Sequence, residues 1–91
     1  MNKSELVKLV AEKTGLKKKD AEHATNAVFG IIKEALKKGE RVSIAGFGIF
    51  EVVERKEREG INPATREKIK IPATRVPKFR PSSSLKEEVK K

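Results

Sequence analysis

At Gly39–Glu40 the spacing of apolar residues changes from a repeat of about 3.6 to a repeat of about 2, and neither an all-helical nor an all-strand fold accommodates both. From Lys18 to Lys38, Ala21, Ala24, Val28, Ile31, Ile32, Ala35 and Leu36 recur at helical spacing. Lys37 and Lys38 fall in the last turn and Gly39 just beyond it. Ahead of this long helix, Leu6, Val7, Leu9 and Val10 define a shorter one over 3–14. Asn2 can cap it with Glu5 at capping-box spacing, and Gly15 can end it in a left-handed conformation. The polar "GLKKKD" joins the two as a helical hairpin over 1–39, with Leu16 available as a staple.

After Glu40, "ERVSIA" alternates Val42 and Ile44 with polar or small neighbours, "GFG" interrupts, and "IFEVVERKER" resumes as a second strand. Gly46 and Gly48 permit the positive φ and close backbone approach that would turn Phe47 into a core. A nucleotide-binding reading of this Gly-x-Gly fails, because position 51 is Glu51 and the motif joins two strands instead of opening a helix. Beyond Val53 apolar support ends through "ERKEREG", until "EKIKIPATRVPKF" brings Ile69 and Ile71 back in alternation. Strands with so little to bury must leave the body, so the β-sheet region 40–80 is expected to carry an arm over about 54–75. Pro81 and three serines announce a last helix within 81–91, with Leu85 and Val89 inward and Ser84 and Glu87 at capping-box spacing. The expected fold class is α+β, a single domain over residues 1–91.

Once the arm is set aside, roughly 60 residues remain to build a body, a size at which cores are marginal. The chain has no cysteine and a single histidine, His23, which excludes disulfides and Cys- or His-cluster metal sites. Oligomerisation is the remaining support. Phe29, Phe47, Phe50 and Phe79 all fall in body segments and are expected to form the core of a homodimer, whose two-fold axis would send both arms the same way.

Twenty-two Lys and Arg oppose thirteen Asp and Glu, a net charge of +9 that calls for a phosphate-rich partner, nucleic acid ahead of an anionic membrane. No apolar run approaches the roughly 20 residues that cross a bilayer, and the N-terminus lacks the apolar stretch of a signal peptide, so a cytoplasmic location is expected. Residues 51–80 hold nine basic residues against five acidic ones. On extended strands Lys56 and Arg58 project from the face opposite Arg55, and Lys68 and Lys70 from the face opposite Ile69 and Ile71, so one face of the ribbon can be basic. Lys17, Lys18 and Lys19 read as a solvated helix start and His23 as solvated or partly packed. Neither supports catalysis, and no nucleophile with a base, carboxylate pair or metal cluster is visible. No cofactor and no small-molecule substrate are expected.

With these elements in place, the chain resembles the bacterial histone-like DNA-binding proteins, the HU and integration host factor family. The resemblance is carried by "GFGIFEV", "NPATREKIKIPA", "VPKFRPSSSLKEEV" and the opening "MNKSELVKLVAEKTGL", and spans nearly the whole chain. It implies an intertwined dimer with a helical base, a saddle of strands and two β-ribbon arms in the DNA minor groove. It also implies that Pro63 intercalates as a wedge, and that Arg55, Arg58, Lys68, Lys70, Arg75, Lys78 and Arg80 line the path to the phosphates. Lys3 and Lys86 would touch bent DNA along the flanks, and Asn62 or Arg66 could read acceptors at the tip.

The sequence departs from the family's usual pattern at Ile61, often an arginine, at Arg66, often a glycine, and at Ser83, often a lysine. Ile61 would widen the wedge. A non-glycine at 66 would carry strain of order 1 kcal/mol if the usual turn is kept, or impose a slightly different turn. The implied function is an architectural protein of the bacterial nucleoid that bends, wraps and compacts double-stranded DNA with weak sequence preference, favouring bent, nicked or gapped duplexes. The alternatives are a sequence-preferring bender of the integration host factor kind, usually a heterodimer, and a basic RNA-binding or structural protein. The latter is opposed by the absence of Tyr and Trp for base stacking.

Overall fold

The computed structural model describes all residues 1–91. Helix α1 spans Lys3–Thr14 and α2 spans Lys18–Lys37, so the expected bounds hold to within one residue. Asn2, extended at φ −117°, accepts the Glu5 N–H on its Oδ1 at 2.9 Å and satisfies one of the free donors of the first turn. Gly15 ends α1 at φ 76°, its N–H donating to the Ala11 carbonyl at 2.9 Å. Thr14 tightens this exit, since its hydroxyl donates to the Val10 carbonyl at 2.7 Å and accepts the Leu16 N–H at 3.2 Å.

The chain divides into two compact units, residues 1–35 and 36–91. In the first, Val7, Ala21 and Thr25 are the buried residues of the helical pair. Beside them Leu6, Val10, Ala24, Val28 and Phe29 line an open apolar hollow, and Phe29 remains 48% exposed. The period-3.6 stripe is present, but Ala24, Val28 and Ile31 on it are exposed.

The second unit holds β1 (Val42–Ile44), β2 (Gly48–Arg55), β3 (Arg58–Ile61), β4 (Lys68–Ile71), β5 (Thr74–Pro81) and α3 (Ser83–Lys90). A three-stranded antiparallel sheet has the order β1-β2-β5, and a separate ribbon pairs β3 with β4. The β1–β2 turn closes through the Phe47 N–H to the Ile44 carbonyl at 3.0 Å, with Gly46 at φ 77°. Gly48 is required by close approach, because a Cβ there would lie 2.5 Å from the Arg80 carbonyl oxygen and 2.7 Å from the Phe79 ring.

Opposed residues share a face of an antiparallel pair, so the register Val42↔Phe50 and Phe50↔Phe79 collects Val42, Phe50, Val52 and Phe79 on one side. Phe79 stacks tilted on Phe50 with centroids 4.8 Å apart and on Phe47 at 5.3 Å. The opposite face carries Ile49, Glu51 and Val53 beside Lys78 and Arg80.

The sequence leaves open which of the three serines starts the last helix, and the structure decides it. Ser82, not Ser84, is the N-cap, at φ −71° and ψ 161°, and its Oγ accepts the Leu85 N–H at 3.1 Å. The cause is tertiary. Strand β5 runs to Pro81 and the Ser82 N–H still donates to the Phe47 carbonyl at 2.9 Å, so the chain is extended up to 82 and can turn helical only after it. Ser84 instead donates to the Gly46 carbonyl at 3.4 Å.

Pairing between the body sheet and the ribbon stops for two residues on each strand, at 56–57 and 72–73, and resumes without a slip: Arg55 faces Thr74 and Arg58 faces Ile71. Pro72 lies in this gap and has no N–H to give a ladder.

Candidate nucleic-acid interface

The tip is closed by residues 62–67. The Asn62 N–H donates to the Glu67 carbonyl at 2.9 Å, and the Arg66 N–H donates to the Asn62 carbonyl at 2.6 Å. Asn62 Oδ1 accepts the Ala64 N–H at 2.9 Å, an Asx turn that reaches across Pro63. Arg66 takes φ 62°, so the turn that favours glycine is kept with an arginine in it, and no alternative turn forms. Pro63 is exposed and Ile61 is 67% exposed, which leaves an apolar pair at the end of a polar arm.

Register decides which charges share a face of the arm. Glu59↔Lys70 and Ile61↔Lys68 place Lys68 and Lys70 together, opposite Ile69 and Ile71, as the alternation predicted. Arg58, however, is paired with Ile71 and so lies on the isoleucine face with Gly60, whose Cβ would come 3.0 Å from Ile71. Lys70 stands opposite Glu59, and its Nζ is 3.7 Å from Glu57 Oε1. The ribbon is therefore of mixed charge on the face of its lysines, because antiparallel opposition brings Glu59 of β3 beside Lys70 of β4, and Glu57, just ahead of β3, approaches the same lysine.

At the base of the arm, Arg55, Lys78 and Arg80 share the face of the body sheet that carries Glu51. Arg80 grips that carboxylate with both oxygens engaged, Nε to Oε1 at 2.9 Å and Nη2 to Oε2 at 3.2 Å, and Arg41 approaches at 3.7 Å. Arg41 was not singled out from the sequence, although its alternation with Ser43 opposite the second strand was the signal available. Arg75 lies on the other face, across from Glu54, and its Nη1 donates to the Lys37 carbonyl at the end of α2 at 3.5 Å. A guanidinium there donates to a carbonyl of the last helical turn and complements the helix dipole. Arg75→Ala should lower stability by about 0.5–1 kcal/mol while leaving the salt dependence of ligand binding nearly unchanged, as urea titration and binding at several salt concentrations would read.

Lys86 borders a hollow with Lys78, Arg80 and Ser43 beside the start of α3, while Lys3 lines a separate one in the helical unit with Ser4 and Lys18. No group of three or more His, Asp or Glu residues could hold a metal ion, and no helix is long and apolar enough to cross a membrane.

A family model described as bacterial DNA-binding protein matches residues 1–90. The chain belongs to the bacterial DNA-binding protein family. Within that family it is 56% identical over 90 residues to DNA-binding protein HU of Geobacillus stearothermophilus, spanning 99% of this chain and 100% of the relative. It is 50% identical over 91 residues to the HU of Thermus thermophilus, spanning 100% and 94%. Among solved structures it resembles an Anabaena HU–DNA cocrystal with a TM-score of 0.88 at 50% identity, covering 98% of this chain and 97% of that one. HU of Thermotoga maritima follows at a TM-score of 0.70 and 42% identity, with 98% of each chain covered. The α+β arrangement of two N-terminal helices, a sheet with an extended arm and a C-terminal helix is the HU fold of this family.

Proposed function

We propose that this chain works as a homodimer that binds and bends double-stranded DNA in the bacterial nucleoid, each arm entering the minor groove with Pro63 as the wedge. The observation that carries this reading is the exposed pair Pro63 and Ile61 at the end of a cationic ribbon, in a chain whose buried apolar residues are only Val7 and Ala21. An apolar tip with no intramolecular partner suits a base step, where a proline ring can displace stacking without stranding an N–H. Unstacking costs a few kcal/mol, and the bend repays it by bringing flanking phosphates onto Arg55, Lys78, Arg80 and Lys86, with Lys3 on the helical unit. Arg58, Lys68, Lys70 and Arg66 supply the arm's own charge, and Asn62 holds the tip. Arg75 acts behind them at the helix end. Binding of this kind reads shape and charge, so sequence preference is weak.

A duplex that is already bent, nicked or gapped spares part of the deformation energy. The dimer should bind nicked DNA about ten-fold or more tightly than intact DNA of the same sequence, and lose about 10³ or more in affinity between 50 and 200 mM salt. Gel shift and end-to-end FRET on matched intact and nicked duplexes test this. Equal affinity for both, without bending, would overturn the architectural reading.

A further inference from the structure

Arg66 is the one non-glycine residue with a positive φ. A left-handed residue other than glycine carries strain of order 1 kcal/mol, and such strain persists where surrounding structure imposes it. Here the turn imposes it, through the Arg66 N–H to the Asn62 carbonyl and the Asn62 N–H to the Glu67 carbonyl. The side chain is exposed and takes part in none of the chain's ion pairs. In this it differs from Lys70, held beside Glu57, and from Arg80, held on Glu51. The arm thus ends in an unengaged guanidinium inside the same turn as the apolar wedge.

With the arm tip in the minor groove, as the proposed function has it, an arginine so placed would meet the groove floor before any phosphate on the flanks. The minor groove is narrow and most negative over A·T tracts, which attract inserted arginine, whereas G·C pairs put an amino group into it. A guanidinium is also more weakly hydrated than an ammonium, and so enters a confined groove more readily. We infer that Arg66 makes the tip select A·T-rich base pairs immediately beside the kinked step. This inference rests on the proposed DNA-bending function and adds to it a sequence preference located at one residue.

The test uses three nicked duplexes of equal length whose pairs beside the nick are A·T, G·C or inosine·C, the last lacking the guanine amino group. Each is titrated with the wild-type protein, Arg66→Gly and Arg66→Lys. The wild type should favour A·T and inosine·C over G·C by about five-fold or more. Arg66→Gly, which relieves the strain and keeps the turn, should lose that preference with no fall in thermal midpoint. Arg66→Lys should retain affinity better than the glycine variant without restoring the preference. Equal weakening of Arg66→Gly on all three duplexes would assign the residue to a phosphate and overturn the inference, as would a preference that persists without Arg66. A wild type that binds the duplexes with no preference removes the role of Arg66 alone. A wild type that binds none of them removes the proposed function as well.

Discussion

Replacing Pro63 with alanine is expected to diminish DNA bending far more than DNA binding. Pro63 is exposed at the tip and the turn around it is held by Asn62, through Oδ1 to the Ala64 N–H and through its backbone to Glu67 and Arg66. None of those bonds uses the proline ring, so the variant should keep the arm's shape. What it would lose is the flat apolar body proposed to displace a stack, and what it would gain is an amide N–H that must be desolvated to follow it. The phosphate contacts proposed for Arg55, Lys68, Lys78 and Lys86 would be untouched. Affinity for nicked DNA should therefore fall less than about ten-fold and the slope of log K against log salt should not change, while FRET between duplex ends drops toward the unbent value. Unchanged bending in this variant would reassign the wedge, with Ile61 as the nearest other apolar group on the arm.

The second large effect concerns assembly. Phe79 lies 4.8 Å from Phe50 and 5.3 Å from Phe47, yet it is 38% exposed in the single chain, and Phe29 is 48% exposed. A two-fold partner presenting the same surfaces would cover these rings and close the hollow beside Phe29. Two measurements follow from it. The thermal midpoint of the wild type should rise with protein concentration, because a folded dimer is stabilised by mass action. Phe79→Ala should cost about 3–5 kcal/mol, the range for an aromatic ring lost from a filled core, and lower the midpoint by more than about 12 °C. Were the ring to stay partly in water, the loss would be nearer 1–2 kcal/mol. A midpoint independent of concentration together with the smaller loss would sink the homodimer.

Much of this molecule was legible in the chain because its signals are local. The bounds of α1 follow from Asn2 and Gly15, which cap within one turn of the residues they serve. The arm was legible because apolar support stops after Val53 and returns as single alternating isoleucines, and a ribbon with nothing to bury has nowhere to go but out.

The remaining features depend on distant pairings. Ser82 outranks Ser84 as the cap because its N–H is claimed by Phe47, 35 positions earlier in the sequence (82 − 47). Arg75 serves the end of α2 across a separation of 38 residues, and Arg80 holds Glu51 across 29, so two cations that look alike in sequence are already engaged on opposite faces of the sheet. The placement of Arg58 with the isoleucines and of Lys70 with two glutamates follows from the β3–β4 register, which alternation within one strand does not specify.

By itself, then, the order of residues determined the element types, the limits of α1 and α2, the arm and the apolar tip, since each rests on periodicity or capping over a few residues. Only the tertiary structure decided which cations are free at the tip and which are tied to carboxylates or helix carbonyls. Those choices depend on strand register and on contacts between segments tens of residues apart, where side chains of equal charge are told apart by what stands opposite them.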